Sequence, residues 1–150
     1  MGPDLSLPRV LIVDDDETDR LLARRALARI SVHNPVETFS SGTEVIQFLR
    51  GAVEEQGDDG RISVCLVLLD LRMPPPDGFG VLKWIREQSS LSHLQVVVLT
   101  GSVDPKDMRR AAELRADLYL PKFPSDETLA RVVAKASASA MQAMRVANLR

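Results

Sequence analysis

Short apolar runs alternate with longer amphipathic stretches along most of the chain, and this alternation restricts the fold more than any other feature of the sequence. Five runs are bounded by polar residues and are rich in Val and Leu, which is typical of strands buried on both faces of a parallel sheet. They cover residues 10–13, 36–39, 64–69, 96–99 and 118–120. The pattern predicts an α/β fold, a doubly wound five-stranded parallel sheet between two layers of helices.

Helical periodicity occupies the stretches between these runs, so each strand is predicted to be followed by a helix. In the first stretch, Leu22, Ala26 and Ile30 recur every four residues. In the fourth, Asp104 and Pro105 have the residue types of a helix N-cap and first helical position. Residues 51–63 are polar and contain glycine, and we predict a surface loop there.

The C-terminal region carries one long apolar stripe. It begins near Ser125, runs almost to Arg150 and repeats at steps of three and four residues, which predicts a single helix. A helix of about 25 residues is ~37 Å long, whereas a typical strand spans ~17–20 Å. We therefore expect residues 1–8 to form a tail, residues 9–150 to form one domain, and residues 136–150 to extend the fifth helix beyond its own sheet.

Composition and charge argue against several classes of function. The chain has 19 Lys and Arg against 21 Asp and Glu, a net charge of -2 and 4% aromatic residues, so a nucleic-acid-binding surface is not expected. The N-terminal residues lack the apolar segment of a signal peptide, and no run reaches the ~18 apolar residues of a membrane span. We predict a cytoplasmic protein without membrane contact, in which the lone Cys65 is a buried small side chain.

Polar and charged side chains follow four of the five predicted strands. Asp14 and Asp15 come directly after the first strand, Asp70 ends the third, Thr100 ends the fourth and Lys122 follows the fifth. Because the carboxyl ends of parallel strands meet at one edge, these groups are expected to converge there. Carboxylates so close together disfavour one another's ionisation, and a hard divalent cation such as Mg²⁺ removes this conflict.

Four separated motifs resemble those of response-regulator receiver domains of two-component signalling, over residues 9–135. The first is the acidic pair after VLIV, and the second is VLLDLRMPPPDG, which fits D-x-x-M-P-x-x-D-G from Asp70 to Gly78. The third is Thr100 after VVVL, and the fourth fits Y-x-x-K from Tyr119 to Lys122. The resemblance implies a flavodoxin-like (βα)5 sandwich, and it implies that Asp70 is the phosphoryl acceptor.

The same resemblance implies a partner, a cofactor and a set of roles. Asp70 would take a phosphoryl group from the phosphohistidine of a sensor histidine kinase, with Thr100 and Lys122 contacting the phosphoryl oxygens. Mg²⁺, or Mn²⁺ in its place, would be bound directly by Asp15 and Asp70, through water by Asp14, and by the backbone carbonyl of Arg72. Such a domain catalyses its own phosphorylation and dephosphorylation and is not a conventional enzyme.

The family resemblance also implies a switch, a phosphoryl lifetime and a dimer. Thr100 would move toward the phosphoryl group and Tyr119 would follow it. Arg72 and Ser102 occupy the positions that flank the path of hydrolytic water, and a long guanidinium there predicts slow autodephosphorylation. Homodimerisation is expected through the fourth helix, the fifth strand and the fifth helix.

Two departures from the family pattern lead to further expectations. Phe123 stands where the family usually has a proline in a cis peptide, and a cis bond before a non-proline costs about 2.5–4 kcal/mol, so a trans or rearranged loop is expected. Arg115 stands where the family commonly has a glycine, so the usual left-handed cap glycine is missing at the end of the fourth helix. Phe123, the long loop at 51–63 and the lack of an output domain resemble single-domain regulators that partner phytochrome-type histidine kinases.

Two other functions remain open at this point. The first strand is followed by D-x-D-x-T, which resembles the motif of haloacid-dehalogenase-type phosphatases, with Asp14 as nucleophile, Asp16 as general acid and base, and Thr100 and Lys122 holding the phosphoryl group. That function leaves VLLDLRMPPPDG unexplained. The second alternative is a dimeric receiver scaffold that is never phosphorylated.

Overall fold

The computed structural model describes residues 2–55 and 63–148, and within them it contains five strands and five α-helices in strict alternation. The strands are β1 Arg9–Val13, β2 Val36–Phe39, β3 Val64–Leu69, β4 Gln95–Thr100 and β5 Leu118–Pro121. The helices are α1 Glu17–Arg29, α2 Gly42–Glu54, α3 Gly78–Glu87, α4 Pro105–Glu113 and α5 Asp126–Asn148. A short 3-10 turn at Ser89–Leu91 precedes β4.

All strands are parallel and lie in the order β2-β1-β3-β4-β5, so the predicted α/β fold is confirmed. β3 lies at the centre of the sheet. Every residue of its sequence VCLVLL is buried, because both faces of the sheet are covered there. Cys65 lies in this strand, and burial raises the pKa of its thiol to about 12, as expected for a small core residue. Separate apolar clusters fill the space on the two faces of the sheet.

The register of the sheet brings the predicted site residues to one edge. Val13 is paired with Leu69, and Leu69 with Val98, so the residues that follow these strands lie side by side. The backbone N–H of Asp70 donates to Val13 O over 2.9 Å, and that of Lys122 donates to Thr100 O over 2.9 Å. Strand order reverses between β1 and β3, and such a crevice is where open α/β sheets bind ligands.

Side-chain caps fix where the helices begin. The carboxylate of Asp16 accepts from Asp19 N at the start of α1, and Asp77 accepts from Gly80 N at the start of α3. Asp104 accepts from Lys106 N, with Pro105 in the first turn, as the sequence predicts for α4. The cap of α1 therefore comes directly after Asp14 and Asp15, whereas a loop of several residues separates Asp70 from the cap of α3.

One predicted boundary differs from the structure. The surface loop expected over residues 51–63 is wrong at its start, because α2 continues to Glu54 and Ala52 and Val53 pack against the core. Residues 56–62 of that predicted loop lie outside the described residues. β1 begins at Arg9, directly after the predicted tail, within which Asp4 N donates to His33 O over 2.7 Å and Leu7 is partly covered.

The stripe of α5 stays on its own domain for longer than expected. Val133, Ala136 and Ala140 are 5%, 2% and 2% exposed, in one cluster with residues of α1, β1 and β3. The stripe is therefore covered by its own domain as far as Ala140, because small alanines let the helix lie close to the sheet and α1. No helix within the described ranges is both long and apolar enough to cross a bilayer.

The end of α4 has a left-handed cap without the usual glycine. Arg115 has φ 67°, its N–H donates to Ala112 O, and Ala116 N donates to Ala111 O. A left-handed backbone costs a non-glycine residue roughly 1–2 kcal/mol. Arg86 offsets this cost by donating to Arg115 O over 3.0 Å and to Asp117 Oδ2 over 2.8 Å.

Candidate functional site

Three carboxylates meet at the carboxyl edge of the sheet, as the sequence predicts. One oxygen from each of Asp14, Asp15 and Asp70 lies within 4.8 Å of the others. Asp14 and Asp70 are each 5% exposed, whereas Asp15 faces outward. β1 positions the first two and β3 the third, and the pairing of these strands fixes the distance between them.

The ammonium of Lys122 is the counter-ion of this cluster. Its Nζ lies 2.6 Å from Asp14 Oδ2 and 3.5 Å from Asp70 Oδ2. It also donates to Asp19 Oδ2 over 2.7 Å, a contact that the sequence motifs do not include. Asp19 lies in the first turn of α1, and its spacing of five residues from Asp14 is the only sequence signal that could have indicated it.

Burial and charge act in opposite directions on the two most enclosed groups. Burial raises the pKa of Asp14 above its usual value, while hydrogen bonds from Lys122 and the Asp16 N–H lower it and the charge of Asp70 raises it. Burial by itself lowers the pKa of Lys122, but hydrogen bonds to Asp14 and Asp19 and the charge of Asp70 outweigh it, so the pKa is raised. Lys122 is therefore an ammonium at physiological pH.

The donor set fits a divalent cation that prefers oxygen ligands. Asp14, Asp15 and Asp70 offer oxygens close enough to share one ion, and with Asp19 they outnumber the single ammonium of Lys122. Hard cations bind carboxylate and carbonyl oxygens with several waters retained, and they relieve the repulsion between neighbouring carboxylates. The site can thus bind a divalent metal ion.

The residues at the end of β4 link the site to Tyr119. Thr100 is fully buried, and its Oγ1 accepts from Ser102 N over 3.3 Å. Tyr119 donates its hydroxyl to Ser102 O over 3.0 Å, with its ring packed beside Phe79 and Val98. Hydrogen bonds through Ser102 therefore connect Thr100 with Tyr119.

The Arg72 side chain points toward α4. Its guanidinium is paired with Asp107, whose Oδ2 also accepts from Ser102 Oγ over 2.7 Å. Asp107 lies in the first turn of α4, and no motif in the sequence identified it. Arg72 and Ser102, expected to flank the path of hydrolytic water, thus share Asp107 as a partner.

The loop after β5 differs from the sequence expectation. The peptide bond between Lys122 and Phe123 is cis, so the expectation of a trans or rearranged loop is wrong. Beside this bond, the backbone N–H of Lys122 donates to Thr100 O, and its ammonium is paired with Asp14 and Asp19.

The phosphatase alternative fits this geometry poorly. Asp16, which would be its general acid and base, is exposed and caps α1 by accepting from Asp19 N. The carboxylate of Asp14, which would be its nucleophile, forms an ion pair with the Lys122 ammonium, with Asp14 Oδ2 2.6 Å from Lys122 Nζ. Asp70, which this alternative leaves without a role, is buried beside Asp14 and Asp15 and lies 3.5 Å from the Lys122 ammonium.

Comparison with known proteins agrees with the motifs. The family model described as the response regulator receiver domain matches residues 10–134. The probable methanogenesis regulatory protein FilR2 of Methanothrix harundinacea is 37% identical over 124 residues, which cover 83% of this chain and 77% of FilR2. Response regulator Rcp1 of Synechocystis is 30% identical over 135 residues, which cover 89% of each protein.

Solved structures show the same fold at similar sequence distance. The bacteriophytochrome response regulator AtBRR is 28% identical with a TM-score of 0.72, covering 91% of this chain and 95% of AtBRR. The Mn²⁺-bound form of Rcp1 is 29% identical with a TM-score of 0.65, covering 84% of this chain and 88% of Rcp1.

The Lys122 counter-ion leads to a stability prediction. Replacing Lys122 with Met should lower the free energy of unfolding by about 3 kcal/mol at pH 7, because buried carboxylates lose their cation. Loss of the ammonium also removes a contribution that lowers the pKa of Asp14. The folded-state pKa of Asp14 is therefore higher in the variant, and a raised folded-state pKa gives stability at low pH that is lost as pH rises. The loss of stability relative to the wild type should thus shrink toward about pH 5.

Urea unfolding at the two pH values measures this deficit. The control is Lys83→Met, the same change at an exposed position of α3, which should alter stability by less than about 0.5 kcal/mol. Equal deficits for the two variants, or a Lys122→Met deficit that grows on acidification, would contradict the assigned role.

Proposed function

Because the chain belongs to the response regulator receiver family, we propose that Asp70 accepts a phosphoryl group from the phosphohistidine of a sensor histidine kinase. The observation that carries the proposal is the convergence of Asp70, Asp14, Asp15 and Lys122 at one edge of the sheet. An Asp70 carboxylate oxygen forms the new bond to phosphorus, the bond from phosphorus to the imidazole nitrogen breaks, and the imidazole leaves with the electron pair.

The carboxylate cluster supports a Mg²⁺ site, in which Mn²⁺ can substitute. Asp15 and Asp70 would bind the ion directly, Asp14 through water, and Arg72 through its backbone carbonyl. Bound there, the ion supplies charge neutralisation for the phosphoryl oxygens. Rcp1, a relative of similar length, has been seen in a Mn²⁺-bound form. The protein's own contribution is the Lys122 ammonium, which neutralises one further charge.

The buried Thr100 and half-buried Tyr119 support the expected switch. Phosphorylation adds about -1.5 to -2 charges and three acceptor oxygens to Asp70. The Thr100 hydroxyl would donate to these oxygens, and Tyr119 would exchange its bond to Ser102 O for a more buried position. The surface around α4 and β5 would change as a result.

The face beside the site supports docking of the kinase. A groove of about 360 Å³ lies between α1 and the loop after β5, with Leu22, Ala26, Phe123 and Pro124 on its walls. Leu22 and Phe123 are 40% and 48% exposed, and Phe123 directly follows Lys122 in the chain. An apolar helix of the kinase fits such a groove. The likeness to AtBRR supports a phytochrome-type kinase as the partner.

Asp70→Asn tests the acceptor directly. The amide is nearly isosteric and should leave the fold intact, but it is a poor nucleophile, so phosphorylation by acetyl phosphate with Mg²⁺ should be abolished. Removing divalent ions with EDTA should stop labelling of the wild type. Asp104→Asn, the same change at an exposed helix cap, should keep the wild-type rate.

Reduction of the acyl phosphate followed by mass spectrometry locates the label. A label on Asp70 supports the proposal, and full labelling of the Asp70→Asn variant would contradict it. A label on Asp14 would favour the phosphatase, and the absence of any label would favour the unphosphorylated scaffold.

Arg72 and Ser102 would set the lifetime of the phosphoryl group. Arg72 is 64% exposed in its pair with Asp107, so it is free to move to phosphoryl oxygens, where its five donors would crowd the path of water. Replacing Arg72 with Ala should therefore speed the loss of phosphate several-fold. The rate at which labelled protein loses its phosphate after removal of the phosphodonor measures this effect. The control is Arg109→Ala, at an exposed position of α4. Decay at the wild-type rate or slower would refute this role.

Exposed apolar side chains support a homodimer through α4, β5 and α5. Val103, Met108 and Leu118 are 76%, 45% and 45% exposed on or beside α4 and β5. Since most of the α5 stripe is covered by its own domain, we place the contact on α4 and β5, with only the outer face of α5 beside them. A second copy would cover these side chains.

Leu118→Lys tests this surface because it places a charge at the centre of the proposed contact. The variant should shift the protein toward monomer in sedimentation equilibrium while phosphorylation of Asp70 persists. Leu21→Lys makes the same change at a site on α1 with a similar exposure of 46%, and it should leave the oligomeric state unchanged. A wild type that is monomeric at tens of micromolar, phosphorylated or not, would exclude the dimer.

A further inference from the structure

The Lys122 ammonium is closer to two other carboxylates than to the proposed acceptor. Its Nζ lies 2.6 Å from Asp14 and 2.7 Å from Asp19, but 3.5 Å from Asp70. An ammonium has three N–H donors, and two of them are directed at Asp14 and Asp19. Phosphoryl oxygens on Asp70 would therefore find only one remaining donor, unless the ammonium leaves Asp14 or Asp19.

Asp19 differs from the other carboxylates around Lys122. It is not among the three residues whose oxygens lie close enough to share a metal ion, and it comes from α1 rather than from a strand end. Its backbone N–H is fixed by the Asp16 cap, and its side chain is 27% exposed. A bound cation would relieve Asp14 and Asp70 of charge, but it would leave the pair between Asp19 and Lys122 in place.

We propose that Asp19 is a positioning residue that tethers Lys122 away from Asp70 and thereby slows phosphorylation. This inference rests on the proposed function and assigns a residue that regulates it. The charge-assisted bond to Asp19 stabilises the resting position of Lys122 and is lost when the ammonium moves to the phosphoryl oxygens. Asp19 thus favours the unphosphorylated state.

The central variant is Asp19→Asn, which keeps the shape of the side chain and removes its charge. Its phosphorylation by acetyl phosphate should be about tenfold faster, the factor expected for one charge-assisted hydrogen bond. Binding of beryllofluoride, a phosphoryl mimic, in the presence of Mg²⁺ should tighten by a similar factor. Asp19→Glu keeps the charge and should stay near the wild-type values.

Two comparisons separate tethering from a general effect of charge. Glu17→Gln removes the same charge from the same turn of α1 at an exposed position, and it should leave both measurements unchanged. Phosphoramidate carries less negative charge than acetyl phosphate, and tethering predicts equal acceleration with the two donors. Acceleration with acetyl phosphate alone, or in Glu17→Gln as well, would overturn the proposal in favour of simple repulsion.

A purely structural role would give the opposite sign. Loss of an ion pair that only supports the fold would lower thermal stability and slow phosphorylation or leave it unchanged, and either rate would overturn the proposal. Failure of the proposed function looks different, because Asp70→Asn would then still accept the label. If the label lies on Asp70 and Asp19→Asn matches the wild type, only the role of Asp19 is refuted.

Discussion

The site depends on one buried cation among several carboxylates. Asp14 and Asp70 are brought together by the pairing of β1 with β3, and without a positive charge their proximity would oppose folding. The Lys122 ammonium is delivered to the same point by β5, whose end is fixed by a backbone bond to Thr100. Sheet order and charge balance therefore constrain one another, since a different strand order would leave the acids without their counter-ion.

The same charge balance suits phosphoryl transfer. A loose transition state needs positioned positive charge more than covalent chemistry, and an excess of carboxylates over ammonium groups leaves room for a divalent cation. In the unphosphorylated structure, two N–H donors of the Lys122 ammonium are directed at Asp14 and Asp19. A receiver built in this way can be stable before phosphorylation and can still change its contacts when new oxygens arrive on Asp70.

A second network leads from the site toward α4. Arg72, two residues after Asp70, is paired with Asp107, and Asp107 accepts from Ser102, whose carbonyl accepts from the Tyr119 hydroxyl. Movement of either Arg72 or Thr100 toward a phosphoryl group would disturb this network. A short series of polar contacts therefore connects the proposed acceptor Asp70 with the exposed apolar side chains of α4 and β5. These polar groups could exchange their present partners for phosphoryl oxygens.

The sequence by itself determined the fold and most of the site. Apolar runs buried on both faces require a parallel sheet, and a parallel sheet gathers the residues that follow its strands, so Asp14, Asp70 and Lys122 were predictable from local pattern and register. Tertiary structure alone decided the ionic partners Asp19 and Asp107, which lie in the first turns of helices, where acidic residues are common. It also decided that Arg115 takes a left-handed conformation, since Arg86 reaches its carbonyl from another helix. Such contacts cannot be read from local sequence preferences, because each contact joins segments that come close together only after the chain has folded.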